Sequence, residues 1–375
     1  MAAANLGIRR VHSIEFCVHQ AEPWLEHFTR GFGFQLVAAS TRRAVETTGT
    51  RRRLLRCGEV GLILAEPTHA GSPVRRYLER HPEGVSRVNF SVADVAAAEA
   101  ILLERHATPT CPIESERVAG GESKSLRIAT PMGDVEYGFV EYAEPDCPLM
   151  AGMEPAGSFD ATRNPIGLSG IDHLTANLRT LMPAIAFHEH VMGFAKTWDV
   201  QFHTEDIRPG VGTGLKSVVM SDAESGARLA LNEPLRPRFD QSQVQVVIDL
   251  NRGAGIHHVA FRVKDICRAV DACRKCGIDS MRMPGAYYGA LPGRIAKQGI
   301  ASVSQPLSEL EARDVLLDGD KNGYLLQAFF ADRPSRSDRS RAGPLLVELI
   351  ERCGATGFGE GNFRALFEAM SRREE

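Results

Sequence analysis

The chain has 375 residues, more than one hydrophobic core ordinarily organises, so two globular bodies are expected. With 43% hydrophobic and 24% charged residues, its composition is that of an ordinary folded protein and excludes a disordered or fibrous chain. A net charge of -3 gives no electrostatic reason for a nucleic-acid partner, and no apolar run approaches the roughly 18–20 residues that cross a bilayer.

The opening stretch Met1–Arg10 lacks the apolar core of a signal peptide, so a cytoplasmic protein is expected. The arginine clusters Arg51–Arg53 and Arg333–Arg341 stand among turn-like residues and read as solvated loops. The eight cysteines show no framework spacing and are expected to be reduced. Cys273 and Cys276 form a C-x-x-C near the end of a predicted helix, without the second pair a metal site would need.

Along the chain one strand-like phrase recurs at intervals of roughly eighty residues. It reads Val11–Val18, then Arg87–Val92, Ile171–Leu178 and Ile256–Val263. Each is followed by a stretch with apolar residues at helical spacing: Glu22–Gly31, Asp94–His106, Leu181–Met192 and Asp265–Cys276. Asp94 and Asp265 have the chemistry of N-caps. The first and third helices end alike, in Arg30-Gly-Phe-Gly-Phe34 and Val191-Met-Gly-Phe194, where a glycine supplies a left-handed stop and a phenylalanine returns to the core. Strand runs follow, among them Val60–Ala65, Val135–Val140, Leu215–Met220 and Tyr324–Phe330.

The unit is therefore strand, helix, strands, written four times. Modules one and two are expected to pair into an N-terminal domain over residues 8–147 and modules three and four into a C-terminal one over 170–375. The Pro/Gly/Ser-rich stretch 148–169 is the expected linker. After the strand Leu345–Glu351 and the turn Gly357-Phe-Gly-Glu-Gly-Asn362, an amphipathic helix over 362–373 is expected to act as a lid.

His173 and His258 occupy similar places in the opening strands of modules three and four, 85 residues apart (258 − 173). Either histidine alone reads as a satisfied core residue; the repeat suggests that both imidazoles enter one cavity. In the N-terminal half His12 stands in the first opening strand, but Arg87 takes the place of His258, so that half is expected to be metal-free and structural. Glu348 lies in an apolar strand, where a charge is costly unless a cation neutralises it. A metal is one neutraliser and Arg352 another. Two histidines and a carboxylate leave three cis positions open on Fe(II), as binding a bidentate substrate together with O2 requires.

Several phrases resemble the 4-hydroxyphenylpyruvate dioxygenase family, which has the vicinal oxygen chelate fold and includes the hydroxymandelate synthases. They are Gly214-Leu-Lys-Ser217, Asn232-Glu-Pro234, Ser242-Gln-Val-Gln245, Gly255-Ile-His-His258, Pro284–Tyr288, Tyr324-Leu-Leu-Gln327, Glu348-Leu-Ile-Glu-Arg352 and Gly357-Phe-Gly-Glu-Gly-Asn-Phe363. The resemblance implies an α+β fold of two vicinal oxygen chelate domains, each of two βαβββ modules forming a half-open barrel. It also implies Fe(II) on His173, His258 and Glu348, with Ser217, Asn232, Gln243 and Gln327 as polar substrate contacts. Phe329, Phe358 and Phe363 would be the aromatic walls, and Gln327 and Phe363 would act on catalysis.

Two positions depart from the pattern. His257 replaces a glutamine and Ala230 a proline, and His257 could become cationic. Asn232 and Phe363 match the dioxygenase branch rather than the synthase branch. The implied reaction takes a 2-oxo acid and O2, as in 4-hydroxyphenylpyruvate to homogentisate, or alternatively to 4-hydroxymandelate. Another aryl or aliphatic 2-oxo acid is a further alternative, and a ligand-sequestering protein of the same fold is a reading of another class. A homo-oligomer, dimer or tetramer, is expected.

Overall fold

The computed structural model describes residues 5–118, 121–142, 149–203, 214–236, 239, 242–331 and 345–362. The arginines from 333 to 341, Phe363 and the expected lid helix beyond Asn362 lie outside the described residues.

All four modules have one topology. The first comprises β1 (Ile8–Cys17), α1 (Ala21–Glu26), β2 (Gln35–Ser40), α2 (Arg42–Thr48), β3 (Thr50–Cys57) and β4 (Val60–Pro67), with α3 (Pro73–Arg80) leading on. The second comprises β5 (Gly84–Val92), α4 (Val95–Glu104), β6 (Pro109–Val118), β7 (Gly121–Ala129) and β8 (Glu136–Tyr142), followed by the short β9 (Met153–Pro155). The third is β10 (Leu168–Asn177), α5 (Met182–Phe187), β11 (Ala195–His203), β12 (Gly214–Ser221) and β13 (Arg228–Pro234), with α6 (Gln243–Leu250) after it. The fourth runs through β14 (Gly255–Val263), α7 (Ile266–Lys275), α8 (Gly285–Gln298), α9 (Leu307–Ala312), β15 (Leu316–Asp320), β16 (Gly323–Ala331) and β17 (Leu346–Cys353).

Two sheets result, ordered β6-β7-β8-β5-β1-β4-β3-β2-β9 and β11-β12-β13-β10-β14-β17-β16-β15. In each the two opening strands are antiparallel neighbours at the centre, β1 with β5 and β10 with β14, and each lies parallel to the last strand of its own module.

The local signals act as expected. Asp94 and Asp265 each accept a hydrogen bond from the backbone N–H three residues on, capping α4 and α7. One wider helical turn extends each of α1 and α5, and Gly33 and Gly193 then take φ of +76° and +73°. The amides of Phe34 and Phe194 bond back to Phe28 and His188.

Three expectations change. Arg51–Arg53 are not loop residues but part of β3, where Arg52 pairs with the buried Glu15 and Arg53 with Glu66. The stretch read as a linker contributes β9, which pairs with β2 and extends the N-terminal sheet. The halves also share one continuous apolar core, with contacts such as Phe32–Phe330 and Phe34–Phe261. Buried Tyr137 and His188 are 2.7 Å apart, joining β8 to the helix of module three. α8 has no apolar periodicity to announce it: Gly285, Gly289, Gly293 and Pro292 are poor helix formers, and the packing of Tyr287, Tyr288 and Leu291 with hydrogen bonds to Leu317 and Asp318 holds it.

Candidate metal centre

The inner face of the C-terminal sheet is set by strand register. Across β10 and β14, His173 faces Ala260 and Thr175 faces His258. Across β14 and β17, Ala260 faces Glu348. Ala260 is thus flanked by His173 on one side and Glu348 on the other, and its single methyl leaves room for their side chains to meet above it. Among the described residues, His173, His258 and Glu348 form a group whose ligand atoms all lie within 4.8 Å of one another, all buried. His258 Nε2 is 3.4 Å and His173 Nε2 3.6 Å from Glu348 Oε2.

Glu348 Oε2 is buried and has no hydrogen-bond partner, while its Oε1 accepts from Gln327 Nε2 at 2.9 Å. A carboxylate oxygen stranded between two imidazole nitrogens fits a cation better than any other occupant. Arg352 does not neutralise Glu348. It forms a bidentate pair with Asp172, at 2.9 and 2.7 Å, and also bonds the carbonyls of Ala355 and Gly357.

Asp172 is the residue that sequence reasoning missed. It sits in a bulge of β10, between the paired residues Ile171 and His173, which turns its carboxylate toward its neighbour. Its Oδ1 is 3.0 Å from His173 Nδ1, so the imidazole presents Nε2 to the cavity. Burial would raise the Asp172 pKa, but hydrogen bonds from His173 and Arg352 hold it well below the ordinary carboxylate range. Burial disfavours a charged His173, yet Glu348 and Asp172 raise its pKa to about 9, so a proton and a metal ion compete for one lone pair. Burial, with His257 and His173 beside it, drives His258 well below its usual value. Burial also lowers His257 to about 4, so the expectation of a cationic His257 is corrected: it is neutral near pH 7, with Nδ1 3.1 Å from Nδ1 of His258.

Phe358 lies edge-on to His173 at 5.1 Å between ring centres, and Phe329 lies 6.0 Å from His258. Ala230 packs in a small cluster with Val219, Phe358 and Trp198, the last an aromatic neighbour that no motif announced. Ser217 and Asn232 face each other across β12 and β13, both buried. Asn232 Nδ2 donates to Asn177, and its Oδ1 is buried without a partner. Gln243 opens α6 and is exposed, while Gln245 is the buried glutamine of that helix. Gln243 remains a proposed substrate contact from the resemblance alone.

The N-terminal sheet aligns with the C-terminal one through the same register. Ser13 faces Asn89 and Glu15 faces Arg87 across β1 and β5, and Asn89 faces Gly138 across β5 and β8. The counterparts of His173, His258 and Glu348 are therefore Ser13, Arg87 and Gly138. His12 instead matches Asp172, in the same bulge, and its Nδ1 lies 3.0 Å from Ser13 Oγ.

Paired βαβββ half-barrels with a two-histidine, one-carboxylate cluster on the inner face define a protein of the vicinal oxygen chelate fold with a candidate metal centre. Residues 172–296 match the Glyoxalase/Bleomycin resistance protein/Dioxygenase superfamily. The 4-hydroxyphenylpyruvate dioxygenase of Caenorhabditis briggsae is 30% identical, over 82% of this chain and 76% of its own. That of Coccidioides posadasii is 28% identical over 96% and 92%. A mutant of 4-hydroxymandelate synthase from Streptomyces coelicolor superposes with a TM-score of 0.79 and 26% identity, over 98% of this chain and all of its own. The chain belongs to the 4-hydroxyphenylpyruvate dioxygenase family.

Proposed function

We propose that the protein is an Fe(II)-dependent dioxygenase that converts 4-hydroxyphenylpyruvate and O2 to homogentisate and CO2, a step of tyrosine catabolism. The observation that carries this reading is the partnerless Glu348 Oε2 between His173 and His258. Three protein ligands on one face leave room for a bidentate 2-oxo acid and O2 together. His173, His258 and Glu348 would hold Fe(II), which would supply a Lewis-acid and redox centre for the 2-oxo acid, as a bidentate ligand, and O2.

The remaining work falls to side chains. Asp172 keeps the His173 proton on Nδ1 and its Nε2 free. Gln327 holds one oxygen of Glu348. Phe329 and Phe358 supply apolar walls that confine an aryl ring beside the metal. Asn232 Oδ1, an acceptor lacking a donor, suits the phenolic hydroxyl of the substrate, with Ser217 opposite it. Phe363 is proposed as a further wall from the resemblance alone.

Attack at the benzylic carbon instead of the ring would give 4-hydroxymandelate, the product named for the structural relative. Anaerobic Fe(II) titration, followed by 2-oxo acids under O2 and identification of the product, tests the reading. We expect one Fe(II) per chain and homogentisate from 4-hydroxyphenylpyruvate; turnover of no 2-oxo acid by the iron-loaded protein would overturn it in favour of a sequestering protein.

The N-terminal half, expected over residues 8–147, is proposed to be structural. Among the described residues no helix is long and apolar enough to cross a membrane, and we place the enzyme in the cytoplasm. Exposed Val246 and Leu250, one turn apart on α6, support a homo-oligomer in which a second copy covers them, a state that light scattering reads directly.

A further inference from the structure

A chain of hydrogen bonds leads away from the metal centre into α8. Gln327 donates from Nε2 to Glu348 Oε1 at 2.9 Å, and its own Oε1 accepts from Asn362 Nδ2 at 2.7 Å. Asn362 Oδ1 lies 2.6 Å from the hydroxyl of Tyr287 and 3.2 Å from Arg294 Nη2. All of Glu348, Gln327, Asn362 and Tyr287 are buried. The backbone makes room for the chain: a Cβ on Gly359, whose φ is +77°, would stand 2.3 Å from Gln327 Oε1, and one on Gly361 would stand 2.3 Å from Asp318 Oδ1.

The direction of this chain is not arbitrary. An Asn or Gln amide can turn either end toward a neighbour, but a guanidinium has only donors. The Tyr287 hydroxyl accepts from the Leu317 amide at 2.9 Å, and its single hydrogen has two acceptors in reach, the Leu317 carbonyl at 3.0 Å and, closer, Asn362 Oδ1 at 2.6 Å. Arg294 stacks over the Tyr287 ring at 4.9 Å and bonds the Leu317 carbonyl, which fixes both groups in place. Two donors facing Asn362 force its oxygen toward α8 and its NH2 toward Gln327. Gln327 must then present its oxygen to Asn362 and its NH2 to Glu348. The last link occupies Oε1 and leaves Oε2 as the oxygen that faces both histidines.

We infer that Tyr287 and Arg294 are positioning residues that set the polarity of this relay and so hold Glu348 to ligation through one oxygen. The inference rests on reading His173, His258 and Glu348 as a metal centre. Reversing the relay would set the Gln327 carbonyl against the carboxylate, two acceptors that repel, and free Oε1 to swing onto the ion. A bidentate Glu348 would consume one of the positions that a chelating substrate needs. Neither Tyr287 nor Arg294 has to touch substrate for this effect.

The test uses Co(II), an air-stable reporter of coordination number, and oxalate, a chelating anion that needs two adjacent open positions whatever the natural substrate is. Full-length protein is compared with Asn362→Asp, which matches Asn362 in size but offers only acceptors, and with Arg294→Met, Arg294→Lys and Tyr287→Phe. We expect Co(II) to bind all of them within about threefold of the parent affinity. Oxalate binding to the Co(II) forms should weaken tenfold or more in Asn362→Asp and in Arg294→Met, with a changed Co(II) absorption spectrum. Arg294→Lys, still a donor, should recover to within threefold. Tyr287→Phe should fall between. A role in stability alone would lower the unfolding temperature and leave oxalate affinity unmoved, and that result overturns the relay. A parent protein that binds no Co(II) overturns the metal-centre reading itself.

Discussion

The two sheets repeat one another strand for strand, but they balance buried charge in opposite ways. In the N-terminal sheet the buried carboxylate of Glu15 accepts from Arg52 at 2.8 Å and Arg87 at 3.0 Å, and Arg87 also reaches Glu136. In the C-terminal sheet the place of Glu15 is taken by Thr175, the guanidinium of Arg87 becomes the imidazole of His258, and the acid moves to Glu348, where Gly138 stands in the other half. One half carries its own counter-cations as arginine side chains. The other leaves a carboxylate oxygen for an external one. Which of the two a half-barrel becomes is decided by a few register positions on three central strands, since the topology is common to both.

The largest way to break the comparison is to remove the external-cation site. His173→Ala, His258→Ala and Glu348→Ala should each lose stoichiometric Fe(II) and lower kcat/KM by more than about a thousandfold. Retention of one tightly bound iron with turnover in any of them would refute the assignment. Metal analysis by plasma emission and single-turnover product measurement check it. The reverse transplant, Gly138→Glu, should not create a second site, because its Cβ would lie 2.2 Å from Asn89 Oδ1.

The internal-cation half should respond in stability rather than in chemistry. Arg87→Ala leaves Glu15 with one partner and should cost about 3–5 kcal/mol in urea unfolding, with kcat of the folded enzyme unchanged. Its pH dependence has a defined sign. Burial opposes ionisation of Glu15, but Arg52 and Arg87 lower its pKa to about 2, so its contribution is present above the unfolded value near 4.5 and is lost as pH falls toward 2. Burial lowers His12 to about 3, so stability also declines as pH falls from 6.5 toward 3, where the unfolded chain takes up a proton that the folded one refuses. Glu15→Gln should flatten the lower limb, worth roughly 3 kcal/mol, and leave the upper one. Equal slopes in both proteins would show that Glu15 is not the group responsible.

A smaller effect is expected at the bulge that both sheets share. Asp172→Asn keeps an acceptor for His173 but loses the charge that pairs Arg352 and Arg262. Metal affinity should fall about 10- to 100-fold, measured by competition with a chromophoric chelator, with kcat at saturating Fe(II) reduced less. His12→Asn at the equivalent place should leave metal affinity unchanged.

Most of this contrast was legible in the residues. The fourfold phrase made the topology legible because each opening strand has an alternating or near-continuous β-type pattern, and Arg87 marked the half that carries its own cation. What could not be read is what depends on backbone irregularity. Both sheets have a bulge at this place, occupied by His12 in one and Asp172 in the other, and no periodicity announces that it sets Asp172 against His173. Arg51–Arg53 read as loop because three charges in a row look solvated, whereas alternate faces of β3 send Arg52 inward to Glu15. α8 was hidden by its glycines and Pro292, although it carries Tyr287 and Arg294 toward Asn362. The motif offers two glutamines, Gln243 and Gln245, and only the helical register shows that Gln245 is the buried one.

The smallest expected effect concerns the two departures from the family pattern, which lie in the C-terminal half alone and so sharpen what that half recognises. A glutamine at 257 offers both a donor and an acceptor to a phenol, whereas His257 is neutral near pH 7 and spends Nδ1 on His258. Ala230 packs beside Phe358 and Val219 and gives β13 freedom that a proline would remove, in the strand that carries Asn232. Asn232 Oδ1 still lacks a donor, so one contact for a para-hydroxyl persists while the second is weakened. Preference for 4-hydroxyphenylpyruvate over phenylpyruvate should therefore be modest, and His257→Gln with Ala230→Pro should raise the ratio of kcat/KM values by about three- to tenfold, close to 1 kcal/mol. The ratio is measured with both substrates, and an aliphatic 2-oxo acid, in competition under O2. A natural enzyme that already prefers the hydroxylated ring by orders of magnitude, with no change in the double variant, would mean that Asn232 alone reads the hydroxyl and that positions 257 and 230 serve only to hold His258 and pack Phe358.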